Sequence, residues 1–288
     1  MASALSSLRY LLSDFIGEDD DEPPFLPDGL PDRTATIVGE GIHRLIDYQG
    51  PGYARLYVDR LRRFVGKPGV DEAMLGEIAR LMAMRMSYQD PIRIAQLKLA
   101  ELEKGAGDPD AAPADDVRIF RLDELVEALP AAVAEPVLDV LERLGWVRKR
   151  VSIRFRTKSW WGVRRLRIAA SLRRWRRFSV RYARERLWVE RWLHMIDRSL
   201  TRQPQAASAI VQTATMVQGY GDAYHQGLAD WHTIIDGLAK PTFDGVLPLK
   251  DLAGAVAEAR AAALPDPRQA ALKRTIAEIR ARAYAAAG

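Results

Sequence analysis

Apolar residues along most of the chain recur at three- and four-residue intervals, the period of a helix that buries one face. From Arg33 onward Ile37, Ile42, Leu45 and Ile46 share a face, until Gly50-Pro51-Gly52 interrupts it. Tyr53, Leu56, Tyr57, Arg60, Leu61 and Phe64 then continue at helical spacing up to the turn Gly66-Lys67-Pro68-Gly69. Asp71 is a predicted N-cap for a helix running to about Ser87, with Met74, Ile78, Leu81, Met82 and Met86 on its apolar face. Met at such spacing reads as adaptable core filling rather than a cofactor box. Asp90-Pro91 has the form of an N-cap followed by proline at the first helical position.

Two stretches depart from this period. Val117–Phe120 is a candidate short strand, followed by short helices around Leu122–Leu129 and Pro136–Leu144. Val151, Ile153 and Phe155 alternate with Ser152, Arg154 and Arg156, the period-two pattern of a half-buried strand. Beyond them Ile168, Leu172, Trp175, Tyr182, Val189, Leu193, Ile196 and Leu200 predict one long helix from about Trp160 to Leu200. Gln205 to Leu238 is expected to return antiparallel to it across Gln203-Pro204. Ala4–Ile16 reads as a short amphipathic helix leading into an acidic, Pro-rich stretch. The expected class is therefore mainly α: a multi-helix scaffold with a small two- or three-strand β element and a long antiparallel helix pair. Its expected divisions are an N-terminal helix and acidic arm (1–33), a helical region (34–106), a small mixed α/β unit (107–158), the long helix pair (159–240) and Ala-rich C-terminal helices (241–288).

Composition narrows the chemistry. The 48% apolar and 28% charged fractions are those of a folded chain, and 288 residues suffice for one large domain or two ordinary ones. No window approaches ~18 consecutive apolar residues, so no transmembrane helix is expected. The N-terminus lacks the basic start and uninterrupted apolar run of a secretory signal, and a cytoplasmic location is expected. There is no cysteine. That excludes disulfides, thiolate zinc sites, a cysteine nucleophile and cysteine-ligated iron–sulfur clusters. No catalytic residue, cofactor site or metal site is expected in this chain.

Charge is divided unevenly. Arg148 to Arg202 holds 19 Lys/Arg against 3 Asp/Glu, a local balance of +16, while the remainder carries −11. Six of the seven Trp lie between Trp146 and Trp192. Arg with Trp is the composition of protein–protein hot spots. Basic residues interleaved with aromatics also suit nucleic acid, and a basic amphipathic helix with Trp suits an anionic membrane. The remaining reading is a basic face neutralised by the acidic rest of the fold. Arg173, Arg174, Trp175, Arg176, Arg177 and Arg181, with Trp188 and Trp192, are the predicted partner interface. Tyr220, Asp222, His225 and Trp231 form a second predicted polar cluster, facing a contact or substrate. The glycines of Gly219–Gly227 do not fit a phosphate loop, which needs G-x-G-x-x-G after a strand, and read instead as positions of close helix packing. His225 and His232 are seven apart, two helical turns, too far for an ordinary two-His metal site.

Four stretches occur in one order in a known family: LIDYQGPGYARLYVDRL (Leu45–Leu61), LMAMRMSYQDPIRIAQLKL (Leu81–Leu99), SLRRWRRFSVRYARERLWVERWL (Ser171–Leu193) and GYGDAYHQGLADWHTII (Gly219–Ile235). Over about residues 35–265 the chain resembles the C-terminal region of the long beta subunit of bacterial indolepyruvate ferredoxin oxidoreductases. The resemblance implies an assembly that oxidatively decarboxylates an aryl 2-oxoacid to an acyl-CoA and passes electrons to ferredoxin. Thiamine diphosphate and four-iron, four-sulfur clusters are then expected on a large partner subunit. The family's N-terminal Rossmann-like domain, with its GxGGxG-type turn, has no counterpart here; Met1 to about Arg33 stands in its place. That domain is expected on a separate gamma-type polypeptide, or the activity has been lost. The expected role is a non-catalytic accessory or structural subunit, with nucleic acid and membrane not the expected partners. The alternative is a basic Arg/Trp-rich helical protein that binds nucleic acid or an anionic membrane surface.

Overall fold

The computed structural model describes residues 24–104, 116–157 and 159–287. The predicted Ala4–Ile16 helix and most of the Gly/Asp/Pro/Ala stretch before Val117 lie outside them. Among the described residues the fold is mainly α with one two-stranded antiparallel sheet, and it divides into two compact units at Ser87/Tyr88. That division falls inside the expected 34–106 helical region.

The first unit contains α1 (Asp32–Tyr48), α2 (Pro51–Arg62) and α3 (Glu72–Met86). Its core largely follows the helical period: Leu45, Tyr57, Leu61, Phe64, Ile78, Leu81 and Met82 are buried as expected, Val38 is buried beside them, and Ile37, Ile46, Leu56 and Met74 are only partly covered. Asp71 caps α3 by accepting the Met74 N–H at 2.8 Å. Gly41 is required by Tyr57, since a Cβ there would lie 2.7 Å from the phenol oxygen, which itself donates to the Ala79 carbonyl at 3.2 Å. Burial pushes the Tyr57 hydroxyl well above its ordinary pKa.

In the second unit α4 (Pro91–Lys104) packs along α7 (Trp160–Ser171). Strand β1 (Asp116–Arg121) leads into α5 (Leu122–Glu127) and α6 (Ala131–Arg143), and β2 (Arg150–Phe155) returns antiparallel to β1 with Phe120 opposite Val151. Ile94, Ala95, Phe120, Phe155 and Leu166 join in one apolar cluster. The rest of the unit comprises α8 (Val180–Arg202), α9 (Ala207–Gln212), α10 (Gly221–Ile234), α11 (Lys240–Phe243), α12 (Leu252–Ala261) and α13 (Ala270–Ala285).

The expected unbroken helix pair is not what forms. Residues Leu172–Phe178 are a 3-10 turn between α7 and α8. Ser179 is extended (φ −74°, ψ 147°) and caps α8 by accepting the Tyr182 N–H at 3.1 Å. A serine N-cap is a start signal that the apolar period masked, because the period happens to run on across the break. The return segment is interrupted by 3-10 turns at Pro204–Ala206 and Thr213–Met216 and ends in a π turn, Ile235–Ala239. Gly219 and Gly221 adopt positive φ (74° and 68°) and make the turn into α10. Gly227 serves close packing: a Cβ there would meet the Met216 carbonyl oxygen at 2.0 Å.

Candidate functional site

The Arg-rich segment has an inner and an outer side. On the inner side Arg176, 1% exposed, forks onto Asp90, with Nε to Oδ2 at 2.7 Å and Nη2 to Oδ1 at 3.1 Å. Asp90 also caps α4, accepting the Arg93 N–H at 2.6 Å. One carboxylate thus starts a helix and neutralises a buried guanidinium. Ser179 closes this corner by donating to the Arg176 carbonyl at 2.7 Å.

Arg181, the second residue of α8, is 5% exposed. Its Nε donates to Glu185 at 3.1 Å, Nη1 lies 3.8 Å from Glu124, and the guanidinium stacks 3.7 Å above the Tyr224 ring. Burial alone lowers the Arg181 pKa, but Glu185 and the other acidic groups around it outweigh that and hold it above its ordinary value. Glu124 is tied down on both oxygens, by the Gly221 N–H at 2.6 Å and the Arg121 N–H at 3.1 Å. Arg184 pairs with buried Glu127, whose carboxyl is raised first by burial, against the opposing pull of Arg184.

The second predicted cluster is only partly assembled. The Tyr220 hydroxyl accepts from Arg118 at 3.0 Å, and its ring packs on Phe120. Asp222 accepts from Arg150 at 2.5 Å and lies 3.5 Å from Arg121; the Arg150 hydrogen bond, foremost, holds its carboxyl below the usual range. His225 Nε2 lies 3.7 Å from Glu124, which joins this cluster to the Arg181 network. Burial, reinforced by Arg121, lowers the His225 pKa to about 4, so the ring is neutral near pH 7. Trp231 is elsewhere, fully buried, donating to Thr213 at 3.0 Å and packed on Trp188.

The interface prediction is therefore corrected at four positions. Arg176, Arg181, Trp188 and Trp192 are consumed inside this chain: Trp192 is fully buried, stacked on Trp188, with Nε1 3.3 Å from the Ile210 and Val211 carbonyls. Arg173, Trp175 and Arg177 are exposed, as an interface requires. The Arg174 side chain lies outside the described residues. Asp90 is the N-cap its sequence announces, but its pairing with Arg176 carries no sequence signal, and Glu124, Glu127 and Glu185 are not among the predicted site residues. A signal existed for one of them, since Glu185 stands four residues after Arg181, within reach on one helix face.

The network is made of paired opposite charges. Its carboxylates face guanidiniums, and no group of three His, Asp or Glu suited to a metal occurs among the described residues. The cavity among Asp90, Phe120, Glu124, Ser179, Arg181 and Tyr220 measures about 10 Å³, room for no more than one water.

No curated protein and no solved structure matches the chain. Residues 34–237 match the model of a family of unknown function, DUF6537. That span takes in the sheet, the Arg-rich segment and the buried network, and the chain belongs to this family.

Proposed function

We propose that the chain is a cytoplasmic, non-catalytic accessory subunit of an assembly resembling the indolepyruvate ferredoxin oxidoreductases. Thiamine diphosphate and the iron–sulfur clusters would reside on a large partner subunit, with a Rossmann-like gamma-type subunit as a further partner and ferredoxin as the indirect acceptor. Without cysteine this chain has no thiolate for a cluster, so its own residues would contribute shape and contacts.

The observation that carries the reading is the mutual packing of the stretches that bear the resemblance. Asp90 of the second stretch holds Arg176 of the third. Arg181 of the third stacks on Tyr224 of the fourth, and Trp188 of the third packs on Trp231 of the fourth. Residues scattered over more than a hundred positions thus belong to one buried framework, which supports a shared fold in that region.

The test is recovery of the tagged chain from its native host, with a visible spectrum of the eluate. A brown eluate containing a large Cys-rich partner is expected; a colourless, solitary chain overturns the reading. A second reading is favoured by one observation: Trp160, Trp161 and Trp175 are exposed among arginines. If the purified chain binds nucleic acid or anionic vesicles, with affinity falling by orders of magnitude from low to moderate salt, and captures no protein, this second reading replaces the first.

A further inference from the structure

An open groove of about 580 Å³ runs between β2 and α7. Five consecutive residues of the strand and its end line it, Ser152 through Arg156. Successive strand side chains point to opposite faces, so an unbroken run along a groove means that the strand presents its edge. Among the described residues β2 pairs with β1 alone, which leaves the outer edge with main-chain donors and acceptors to offer. Leu166 and Ala169 of α7 form an apolar wall opposite, and Trp161, 66% exposed, stands at the same groove. Gly162 closes one end, since a Cβ there would meet the Arg156 carbonyl oxygen at 2.3 Å.

The charge on this groove has one sign. Arg154, Arg156 and Arg165 line it, and none of the three side chains has an ion pair or hydrogen bond among the described residues. Arg154 and Arg156 are two apart and share a side of the strand. The same Arg-rich region indicates what completes such groups, because the buried Arg176 and Arg181 and the exposed Arg184 each take a carboxylate.

We infer that the groove receives an extended segment of a protein partner, added as a third strand on the outer edge of β2. Its alternate acidic side chains would meet Arg154, Arg156 and Arg165, and an apolar residue between them would lie against Trp161 and Ala169. Strand addition draws affinity from main-chain hydrogen bonds and specificity from alternate side chains. A lipid or a nucleic acid has no peptide main chain with which to satisfy that edge. The inference goes beyond the oxidoreductase reading and does not depend on it.

The experiment uses the full chain and a fluorescent peptide of alternating Glu and Leu, followed by anisotropy. Two controls accompany it: the same peptide N-methylated at alternate residues, and its Lys/Leu counterpart. The acidic peptide is expected to bind. The combined variant R154E/R156E/R165E should weaken it by roughly tenfold or more, whereas Arg202→Glu, an exposed site away from the groove, should not. N-methylation should abolish binding without any change to the protein, which keeps the test sound if the triple variant misfolds. Equal binding of methylated and unmethylated peptides, or of wild type and triple variant, overturns the proposal. So does tighter binding of phosphatidylglycerol vesicles or single-stranded RNA through the same three arginines. Self-association abolished by the triple variant would assign the groove to a second copy instead. Peptide binding that appears only after Asp108, Asp110 and Asp115 are changed to Asn would assign it to the chain's own 105–115 segment.

Discussion

Arg176 and Arg165 are eleven residues apart in the same basic stretch, yet one is a buried ion and the other an exposed charge on a groove. The tryptophans divide in the same way: Trp192 is fully buried and Trp175 is 55% exposed. What separates the two sets is an acidic partner, brought by the rest of the fold for Arg176 and by Glu185 of the same stretch, together with Glu124, for Arg181. Asp90, Glu124, Glu127 and Glu185 neutralise the inner arginines, and what they leave uncovered becomes the surface. A local charge of +16 is therefore a poor measure of what this stretch offers a ligand. Part of it is already spent inside the chain.

The most severe test of this division removes one half of the inner pair. Asp90→Ala leaves the Arg176 guanidinium buried without its carboxylate and also removes the cap of α4. Breaking a buried pair from one side costs about 3–5 kcal/mol, measurable by urea denaturation. Replacing both partners, as Asp90→Leu with Arg176→Met, should recover much of that loss, because no uncompensated charge then remains. Arg165→Ala on the outer side should cost less than about 0.5 kcal/mol. If D90A proved no more harmful than R165A, the distinction between inner and outer arginines would collapse.

How far the sequence revealed this division depends on the residue. The apolar period located α1, α2 and α3, and alternation located β2, because those elements bury one face and their side chains follow the backbone repeat; β1 is marked only as a short apolar run, and its Val117 and Ile119 are exposed. The same rule failed from Leu172 to Phe178. There Leu172 and Trp175 keep helical spacing while being exposed, and the chain turns so that Arg176 can reach Asp90. Periodicity registers which residues are apolar, not which are covered. Arg176 and Arg177 are chemically identical neighbours, and only a carboxylate eighty-six positions away from Arg176 decides which one is buried. The glycines near Gly219 illustrate the reverse: two of them make a turn and Gly227 permits a close approach, so their shared description as packing positions was right for one alone.

A smaller effect probes the seam between the inner network and the polar cluster. His225 has its pKa lowered from 6.5 to about 4, first by burial, with Arg121 adding to it and Asp123 opposing. In the unfolded chain the ring takes up a proton near pH 6.5, while the folded chain resists until about pH 4. The unfolded state therefore binds more protons in that window, and stability falls as pH drops from 6.5 towards 4. Part of the ring still meets solvent, so the contribution is about 1–2 kcal/mol after allowing for screening. His225→Gln cannot protonate and should lose less stability across that window than wild type. Parallel pH curves for the two proteins would mean that His225 is not held neutral by its surroundings.

The smallest expected effect is the most direct check on the outer side. Trp175→Ala removes a large ring from the same basic stretch in which Trp192→Ala would empty a packed core position. The buried substitution should cost about 3–5 kcal/mol through lost burial and the cavity left behind. The exposed one should change stability by no more than about 0.5 kcal/mol, because the Trp175 ring already spends most of its surface in water and its neighbour Phe178 meets it only edge-on, with ring centroids 6.5 Å apart. Equal losses for the two variants would show Trp175 to be a core residue of the folded chain. A difference of several kcal/mol would leave the Trp175 ring available to a partner, at no cost to the fold that presents it.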